Sequence, residues 1–249
     1  MRGGEGRLFQ VLPILGVSSL MTSSRALGSG SFFALDGGPE PGHVDVMSPQ
    51  PTSPPNDALV VAVLAGGEGR RMGGMKALRP FRGQPLVAHA VALARRWSDQ
   101  VVVAVRDPAQ VAGAVDAPLT LDRADIPGPL AGLAGALDYA RSLGGGLLLT
   151  LPCDMPRLPP ELADRLRAAM GAEHGVALPA VDGQLQPVCG LWRVTALEQL
   201  AAYLAAGQSS LRGFAAACGL VAVEFGAEAG PAFTGANTPE ELERLARDD

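Results

Sequence analysis

An uninterrupted apolar run followed by a glycine-rich loop constrains the fold of this chain most strongly. Residues 58–64 are all apolar, and five glycines lie within residues 66–74. A strand that lacks polar alternation is buried on both faces, as in a parallel sheet covered by helices. Glycines allow backbone N–H groups to approach a ligand closely. The sequence therefore predicts a ligand-binding turn at the end of a buried strand.

Apolar runs alternate with segments of helical spacing through the rest of the chain. The predicted strands are 58–64, 101–105, 118–121, 146–151, 175–179, 185–192 and 220–225, and the predicted helices are 85–97, 130–143, 159–170, 195–206, 210–217 and 238–246. This alternation predicts an α/β fold, a three-layer α/β/α Rossmann-like arrangement with a mostly parallel twisted sheet. In such sheets ligands bind at the carboxyl ends of the strands.

The first 56 residues differ from the domain predicted at 57–249. They are rich in Gly, Ser and Pro and show no sustained apolar period, so we expect them to be disordered or weakly ordered. Residues 8–21 weakly resemble the apolar part of a signal peptide, but polar residues such as Gln10 interrupt them. We therefore expect an extension rather than an export signal, and a translation start at Met47 remains an alternative.

Composition and charge exclude several classes of function. The net charge is −5 and no basic stripe is present, so we expect no nucleic-acid partner. No apolar run reaches the roughly 18 residues of a membrane span. Three cysteines are too few for a disulfide framework and favour a reducing, cytoplasmic location. The three histidines lack the spacing of a structural zinc site.

Three cations accompany the glycines of the first loop, which reads L-A-G-G-E-G-R-R-M-G-G-M-K. They are Arg70, Arg71 and Lys76, and together with the glycines they predict a cradle for a triphosphate. A Walker A motif fails because Met75 stands where lysine is required, and a dinucleotide motif fails because Met72 replaces its third glycine. A plain strand–helix turn is the alternative, but it would leave three cations repelling one another without an anion.

Asp154 is the strongest candidate for a metal ligand. It directly follows the predicted strand 146–151 and lies between two prolines that restrict the loop P-C-D-M-P. Magnesium is usually held by one or two carboxylates together with substrate phosphates. Cys153 has no histidine partner nearby in the sequence, so we interpret it as a small buried residue rather than a nucleophile.

Several segments together resemble the molybdenum cofactor guanylyltransferases, NTP transferases with the nucleotide-diphospho-sugar transferase fold. The motifs are L-A-G-G with G-x-G-x-R-M-G-x-x-K, D-x-x-P-G-P-L-A-G, and P-C-D-x-P. The resemblance implies Mg2+ on Asp154 and catalytic roles for Lys76, Arg71 and Asp154. It implies nucleotide contacts from Leu64, Ala65, Gly66, Gly67, Gly69, Arg70, Lys76 and Asp125, with Asp125 favoured over Asp122; a solvated or capping acid is the alternative for both.

The C-terminal half carries two further matches. The segment L-Q-P resembles the family strand before the acceptor site, which implies that Gln186 hydrogen-bonds a pterin or base edge; a strand residue that faces solvent is an equal alternative. Asn237, in N-T-P-E-E-L, matches the closing motif of the family, and a helix N-cap is the alternative. The chain departs from the family in two places. The family commonly has one more residue, an Asp, just before the lysine, whereas here Met75 directly precedes Lys76, and Gly235 stands where a second Asn is frequent.

The resemblance implies transfer of GMP from GTP to molybdopterin with release of pyrophosphate, and transient contact with molybdoenzymes or other cofactor-biosynthesis proteins. A molybdopterin cytidylyltransferase and a sugar-phosphate nucleotidyltransferase remain alternatives. A non-catalytic adaptor that binds nucleotide or cofactor is an alternative of another class. A non-catalytic adaptor would be expected to lack Lys76 or Asp154, whereas this sequence contains both residues.

Overall fold

The computed structural model describes residues 57–67 and 75–247, and every structural statement below concerns these residues. The expectations for the first 56 residues and for residues 68–74 lie outside the described residues. No described helix is long and apolar enough to cross a membrane.

Ten strands and six helices alternate along the described chain. The strands are β1 Leu59–Leu64, β2 Pro80–Phe81, β3 Gln84–Pro85, β4 Val101–Val105, β5 Leu119–Leu121, β6 Leu147–Pro152, β7 Val176–Val181, β8 Gln184–Leu185, β9 Leu191–Arg193 and β10 Leu220–Glu224. The helices are α1 Leu86–Ala94, α2 Leu130–Ser142, α3 Leu162–Ala169, α4 Leu197–Ala205, α5 Leu211–Ala217 and α6 Pro239–Arg247.

The main sheet has the strand order β10-β7-β9-β6-β1-β4-β5, with β8 paired to β7. The pairs β1–β4, β1–β6, β4–β5 and β7–β10 are parallel, whereas β9 runs antiparallel to both β6 and β7. The prediction of an α/β fold with a mostly parallel sheet is confirmed. Because β1 and β6 are neighbours, the loops that follow them emerge side by side at one edge of the sheet.

Helices cover both faces of the sheet and bury its strands. Successive side chains of β1 point to opposite faces: Val61 and Val63 belong to the core under α1 and α3, whereas Val60 and Ala62 belong to the core under α2, α4 and α5. All four side chains are fully buried. This two-sided burial explains why the first strand is apolar at every position.

The predicted single strand 185–192 is wrong, because the structure divides this segment. β8 ends at Leu185, and β9 begins only at Leu191. Between them the Cys189 N–H donates to the Gln186 carbonyl oxygen at 3.0 Å, which closes a turn. Pro187 has no N–H group and cannot take part in a continuous ladder on that side.

A short hairpin formed by β2 and β3 was not predicted. Its turn consists of Arg82 and Gly83, both with positive φ (47° and 81°). The strands contain only two residues each, which is too short for an apolar period to be recognised in the sequence.

Phe214 provides a test of the core on the α5 side of the sheet. Its ring is fully buried and lies 5.8 Å from the Trp192 ring and 5.3 Å from the Tyr203 ring, measured between centroids. Phe214→Ala should lower the free energy of unfolding by about 3–5 kcal/mol, because it removes buried surface and leaves a cavity. Chemical denaturation measures the change. Leu121→Ala, at a side chain that is 57 % exposed, should change it by only about 0.5 kcal/mol.

Candidate active site

The segment after β1 forms one wall of the candidate site. The Ala65 N–H donates to the Ala104 carbonyl at 2.8 Å, and the Leu64 carbonyl accepts from the Cys153 N–H at 3.2 Å. Ala65 is buried, whereas a side chain built on Gly67 would meet no atom within 4 Å. The backbone is therefore anchored up to Ala65 and borders open space at Gly67. The predicted nucleotide contacts Gly69 and Arg70 and the predicted catalytic residue Arg71 lie outside the described residues.

Asp122 is the acid that faces this segment. It directly follows β5, and a Cβ on Gly66 would overlap its carboxylate. A Cβ on Gly132 would lie 3.2 Å from Asp122 Oδ1, so two glycines leave room for this side chain. Asp122 Oδ1 is buried without a hydrogen-bond partner. Burial raises the pKa of Asp122, and the nearby Arg106 partly opposes that rise.

Asp125, which the motif favoured as the nucleotide contact, forms an ion pair with Arg123. Its carboxylate accepts two hydrogen bonds from Arg123, from Nε at 3.1 Å and from a terminal nitrogen at 2.7 Å. Its side chain is 64 % exposed, and the hydrogen bond from Arg123 lowers its pKa. A nucleotide contact by Asp125 stays a prediction. The signal for Asp122 was present in the sequence, because this residue immediately follows a strand predicted to end at residue 121.

Lys76 joins two distant parts of the chain at the centre of the site. Its ammonium group forms an ion pair with Asp154 and donates to Asn237 Oδ1 at 2.9 Å. The Lys76 and Asp154 side chains are only 14 % and 15 % exposed. Lys76 is also the only lysine in the sequence, since every other basic residue except histidine is arginine. The structure thus brings together three residues predicted separately from three motifs.

The residue before Lys76 has an unusual backbone conformation. Met75 lies in the left-handed region, with φ 44° and ψ 47°, and its side chain is 60 % exposed. Non-glycine residues seldom adopt this conformation, and strained positions of this kind are concentrated at functional sites. Lys76 begins a short 3-10 turn directly after it.

Asn237 is not the residue that caps α6. The Glu241 N–H donates to Thr238 Oγ1 at 3.2 Å, so Thr238 performs the capping. The Asn237 N–H donates in turn to Glu241 Oε2 at 2.7 Å. These bonds fix the backbone of Asn237 and leave its side-chain oxygen directed at Lys76. The capping role therefore belongs to Thr238, and a site role for Asn237 stays a prediction.

The surroundings of Asp154 fit a magnesium ion. Its carboxylate and the amide oxygen of Asn237 are oxygen ligands of the kind that Mg2+ prefers. Gly235 brings no side chain against it, since a Cβ there would lie 2.8 Å from Asp154 Oδ2. In the part of the chain described, no cluster of three or more His, Cys, Asp or Glu side chains forms a metal cage. Asp154 therefore suits an ion whose remaining ligands come from water and phosphates.

Gln186 begins the turn between β8 and β9, and in the sheet β9 and β1 flank β6 on opposite sides. The Gln186 N–H donates to the Pro179 carbonyl at 2.8 Å, and its side-chain amide donates to the Gln184 carbonyl at 3.3 Å. The turn that it begins reaches residues 152–156, the Asp154 loop, where Cys189 Sγ lies 3.6 Å from Met155 Sδ. The structure therefore places the turn 186–189 beside the Asp154 loop.

Cys153 is unsuited to act as a nucleophile. Its side chain is buried, and burial, assisted by the charge of Asp154, raises the pKa of its thiol to about 12. The reactive thiolate is therefore scarce at neutral pH. The interpretation of Cys153 as a small buried residue agrees with its surroundings.

Asp122→Asn should raise the Tm at pH 7. Burial raises the pKa of Asp122 in the folded state. Its contribution to the free energy of unfolding is therefore complete below the ordinary Asp pKa and is lost as the pH rises through the raised value. An amide has no such ionisation cost, so the Tm difference should be positive near pH 7 and should shrink toward about pH 3. Calorimetry across this range measures it. Asp125→Asn is the control, since its pKa is lowered and its removal should not stabilise the fold.

Comparisons with known proteins identify the family of the chain. Residues 61–221 match the family described as MobA-like NTP transferase domain. A molybdenum cofactor guanylyltransferase of Cereibacter sphaeroides is 41 % identical over 184 residues, which cover 73 % of this chain and 92 % of that protein. Another from Shewanella amazonensis is 34 % identical over 188 residues, covering 74 % of this chain and 94 % of that protein.

Solved structures support the same fold. The molybdopterin-guanine dinucleotide biosynthesis protein A of Archaeoglobus fulgidus is 23 % identical with a TM-score of 0.61, covering 75 % of this chain and 96 % of its own. A CMP:2-keto-3-deoxy-manno-octonic acid synthetase complexed with CTP is 17 % identical with a TM-score of 0.57, covering 76 % and 96 %. At these identities the likeness shows the nucleotidyltransferase fold alone. The motif resemblance is confirmed by the family match and by the relatives, and the chain belongs to the MobA-like NTP transferase family.

Proposed function

We propose that this protein transfers GMP from GTP to the terminal phosphate of molybdopterin, in its molybdenum-bound form, and releases pyrophosphate. The observation that carries the proposal is the contact of Lys76 with both Asp154 and Asn237 beside the glycine-rich segment. The relatives named molybdenum cofactor guanylyltransferase support the choice of GTP and of the acceptor.

The nucleotide occupies the side of Asp154 that is formed by β1, β4 and β5. Leu64, Ala65 and Gly66 border the base, and Gly67 leaves the backbone open toward the phosphates. Asp122 Oδ1 is a buried acceptor without a partner, and ribose hydroxyls or the adjacent N–H groups of guanine would satisfy it. Gly69, Arg70, Arg71 and Asp125 remain predicted contacts, with Arg71 assisting Lys76 in catalysis.

The chemistry requires positioning and charge neutralisation rather than a base. The acceptor phosphate is already ionised, so it attacks the α-phosphorus of GTP in line, and the pyrophosphate oxygen departs with the bonding electron pair. Asp154 is the residue that would hold Mg2+, with Asn237 at its side. Bound there, Mg2+ would offset phosphate charge and orient the reacting groups.

Lys76 is the residue that meets the charge of the transition state. The ammonium group of Lys76 would donate to phosphate oxygens, where negative charge grows as the bond to pyrophosphate breaks. A cation about 4 Å from such an oxygen contributes roughly 4 kcal/mol at an effective dielectric constant near 20. Asn237 Oδ1 accepts from the same ammonium group and limits its freedom before the substrate arrives.

The test is pyrophosphate release by the purified protein with Mg2+, one nucleoside triphosphate and molybdopterin. GTP should support turnover and CTP should not, whereas the reverse preference would indicate the cytidylyltransferase alternative. Turnover only with a sugar phosphate would indicate the sugar-phosphate alternative. Binding of GTP without any turnover would favour the non-catalytic adaptor. A cytoplasmic location and transient contact with molybdoenzymes remain predictions.

Lys76→Ala should lower kcat/KM by about 100- to 1,000-fold, the loss typical when one preorganised donor to a developing charge is removed. Steady-state pyrophosphate release at saturating Mg2+ measures the change. Arg141→Ala is the matched control, because Arg141 is 61 % exposed and pairs with Asp138 on α2. Near-normal turnover by Lys76→Ala would remove this lysine from the mechanism.

Asp154→Asn should weaken metal binding by about 100-fold or more, beyond the 10- to 100-fold effect of groups that only orient a ligand. Electron paramagnetic resonance of Mn2+ with GTP present measures binding directly, independently of turnover. Asp164→Asn, at an exposed acid of α3, should leave Mn2+ binding unchanged. Equal Mn2+ affinity in the wild type and Asp154→Asn would exclude Asp154 as the metal ligand.

A further inference from the structure

Thr150 is the single buried polar residue in the part of the chain that the structure describes, with 1 % of its surface exposed. It lies within β6, four residues before Asp154. Every other side chain of this strand is apolar. A hydroxyl in such a place is costly unless its hydrogen bonds are made.

The hydroxyl of Thr150 is fully used, and all of its partners lie in the segment 188–192. It donates to the Val188 carbonyl at 2.9 Å. It accepts from the Gly190 N–H at 3.2 Å and from the Trp192 indole N–H at 3.4 Å. One donor and two acceptor positions are the entire capacity of a hydroxyl group. Thr150 therefore ties the middle of β6 to the chain that leads out of the turn 186–189.

The backbone of Thr150 adds a further bond to the same segment, since its N–H donates to the Gly190 carbonyl at 2.8 Å. Regular pairing between β6 and β9 ends at Leu149 and Leu191. Beyond that pair the Thr150 N–H still bonds the Gly190 carbonyl, but the Gly190 N–H donates to the Thr150 hydroxyl instead of to a backbone carbonyl. The turn is consequently held beside the Asp154 loop, where Cys189 contacts Met155.

The strand order separates two sides of the site. The nucleotide segment follows β1, on one side of β6, whereas the turn 186–189 precedes β9, on the other side. Because β9 runs antiparallel to β6, its start lies at the carboxyl end of β6, next to Asp154. The turn and Gln186 therefore border the side of the metal carboxylate that the nucleotide does not occupy.

We propose that Thr150 is a positioning residue for the acceptor: its hydroxyl holds the turn 186–189 at the distance from Asp154 at which molybdopterin phosphate binds. The proposal rests on the proposed function. It assigns no direct contact between Thr150 and either substrate, because the hydroxyl is buried and committed to Val188, Gly190 and Trp192.

Thr150→Val and Thr150→Ser separate the hydroxyl from the packing of the side chain. Valine keeps the shape but leaves the Val188 carbonyl, the Gly190 N–H and the Trp192 N–H without their partner. Serine keeps the hydroxyl and loses only a methyl group. Thr150→Val should raise the KM for molybdopterin roughly 10-fold, because the turn loses the bonds that hold it, and the KM for GTP by less than about 2-fold. Thr150→Ser should stay within about 3-fold of wild type for both.

Amide hydrogen exchange reads out the position of the turn without any substrate. The Gly190 N–H should exchange faster in Thr150→Val and at the wild-type rate in Thr150→Ser. Phe214→Leu is the control for general destabilisation, since Phe214 packs against Trp192 but does not touch the hydroxyl. It should lower the Tm without changing either KM.

Three results would overturn the inference: an equal rise of both KM values in Thr150→Val, the same KM defect in Thr150→Ser, or unchanged exchange at Gly190. Failure of the proposed function looks different. In that case the wild type releases no pyrophosphate from GTP and molybdopterin, while hydrogen exchange still decides whether Thr150 holds the turn.

Discussion

The parallel pairing of β1 with β6 is the constraint on which the candidate site depends. The register runs without interruption from Leu59 opposite Leu147 to Leu64 opposite Pro152. Both strands therefore leave the sheet at the same level, and the glycine-rich segment emerges beside the Asp154 loop although almost 90 residues separate them. The hydrogen bond from the Cys153 N–H to the Leu64 carbonyl extends this pairing one step beyond the strands. The glycine-rich segment and the Asp154 carboxylate lie side by side because two apolar strands are adjacent.

The C-terminal helix completes the site from a different direction. The Ala236 N–H donates to the Asp154 carbonyl at 3.2 Å, and Asn237 reaches Lys76. At the far end of α6, the Arg157 guanidinium donates to the Leu245 carbonyl, where the negative end of the helix dipole favours a cation. The Asp154 loop and Arg157, directly after it, are thus connected to both ends of α6. Residues remote in sequence are thereby brought into contact around Asp154 and Lys76.

Sequence reasoning predicted what depends on local pattern and missed what depends on register. Asp154 was identifiable because its position after a buried strand is itself a local signal. Asp122 was ranked below Asp125, although its place directly after a predicted strand was a local signal. That Gly66 and Gly132 leave room for its carboxylate is visible only in the packed backbone. The hydrogen bond between Lys76 and Asn237 joins residues 161 positions apart, and no local sequence pattern around either residue predicts it. The division of the strand 185–192 was indicated by Pro187, whose missing N–H outweighs the apolar character around it.

The use of lysine at one position only has a practical meaning for handling this protein. A compact ammonium group can satisfy a carboxylate and an amide oxygen in different directions, which the planar guanidinium does less readily. Because the sequence contains no other lysine, its primary amines are those of Lys76 and the chain terminus. Any reagent that couples dyes, resins or acyl groups through amines therefore has two kinds of target in this chain, and the ion pair that holds Lys76 against Asp154 directs such a reagent to the terminal amine.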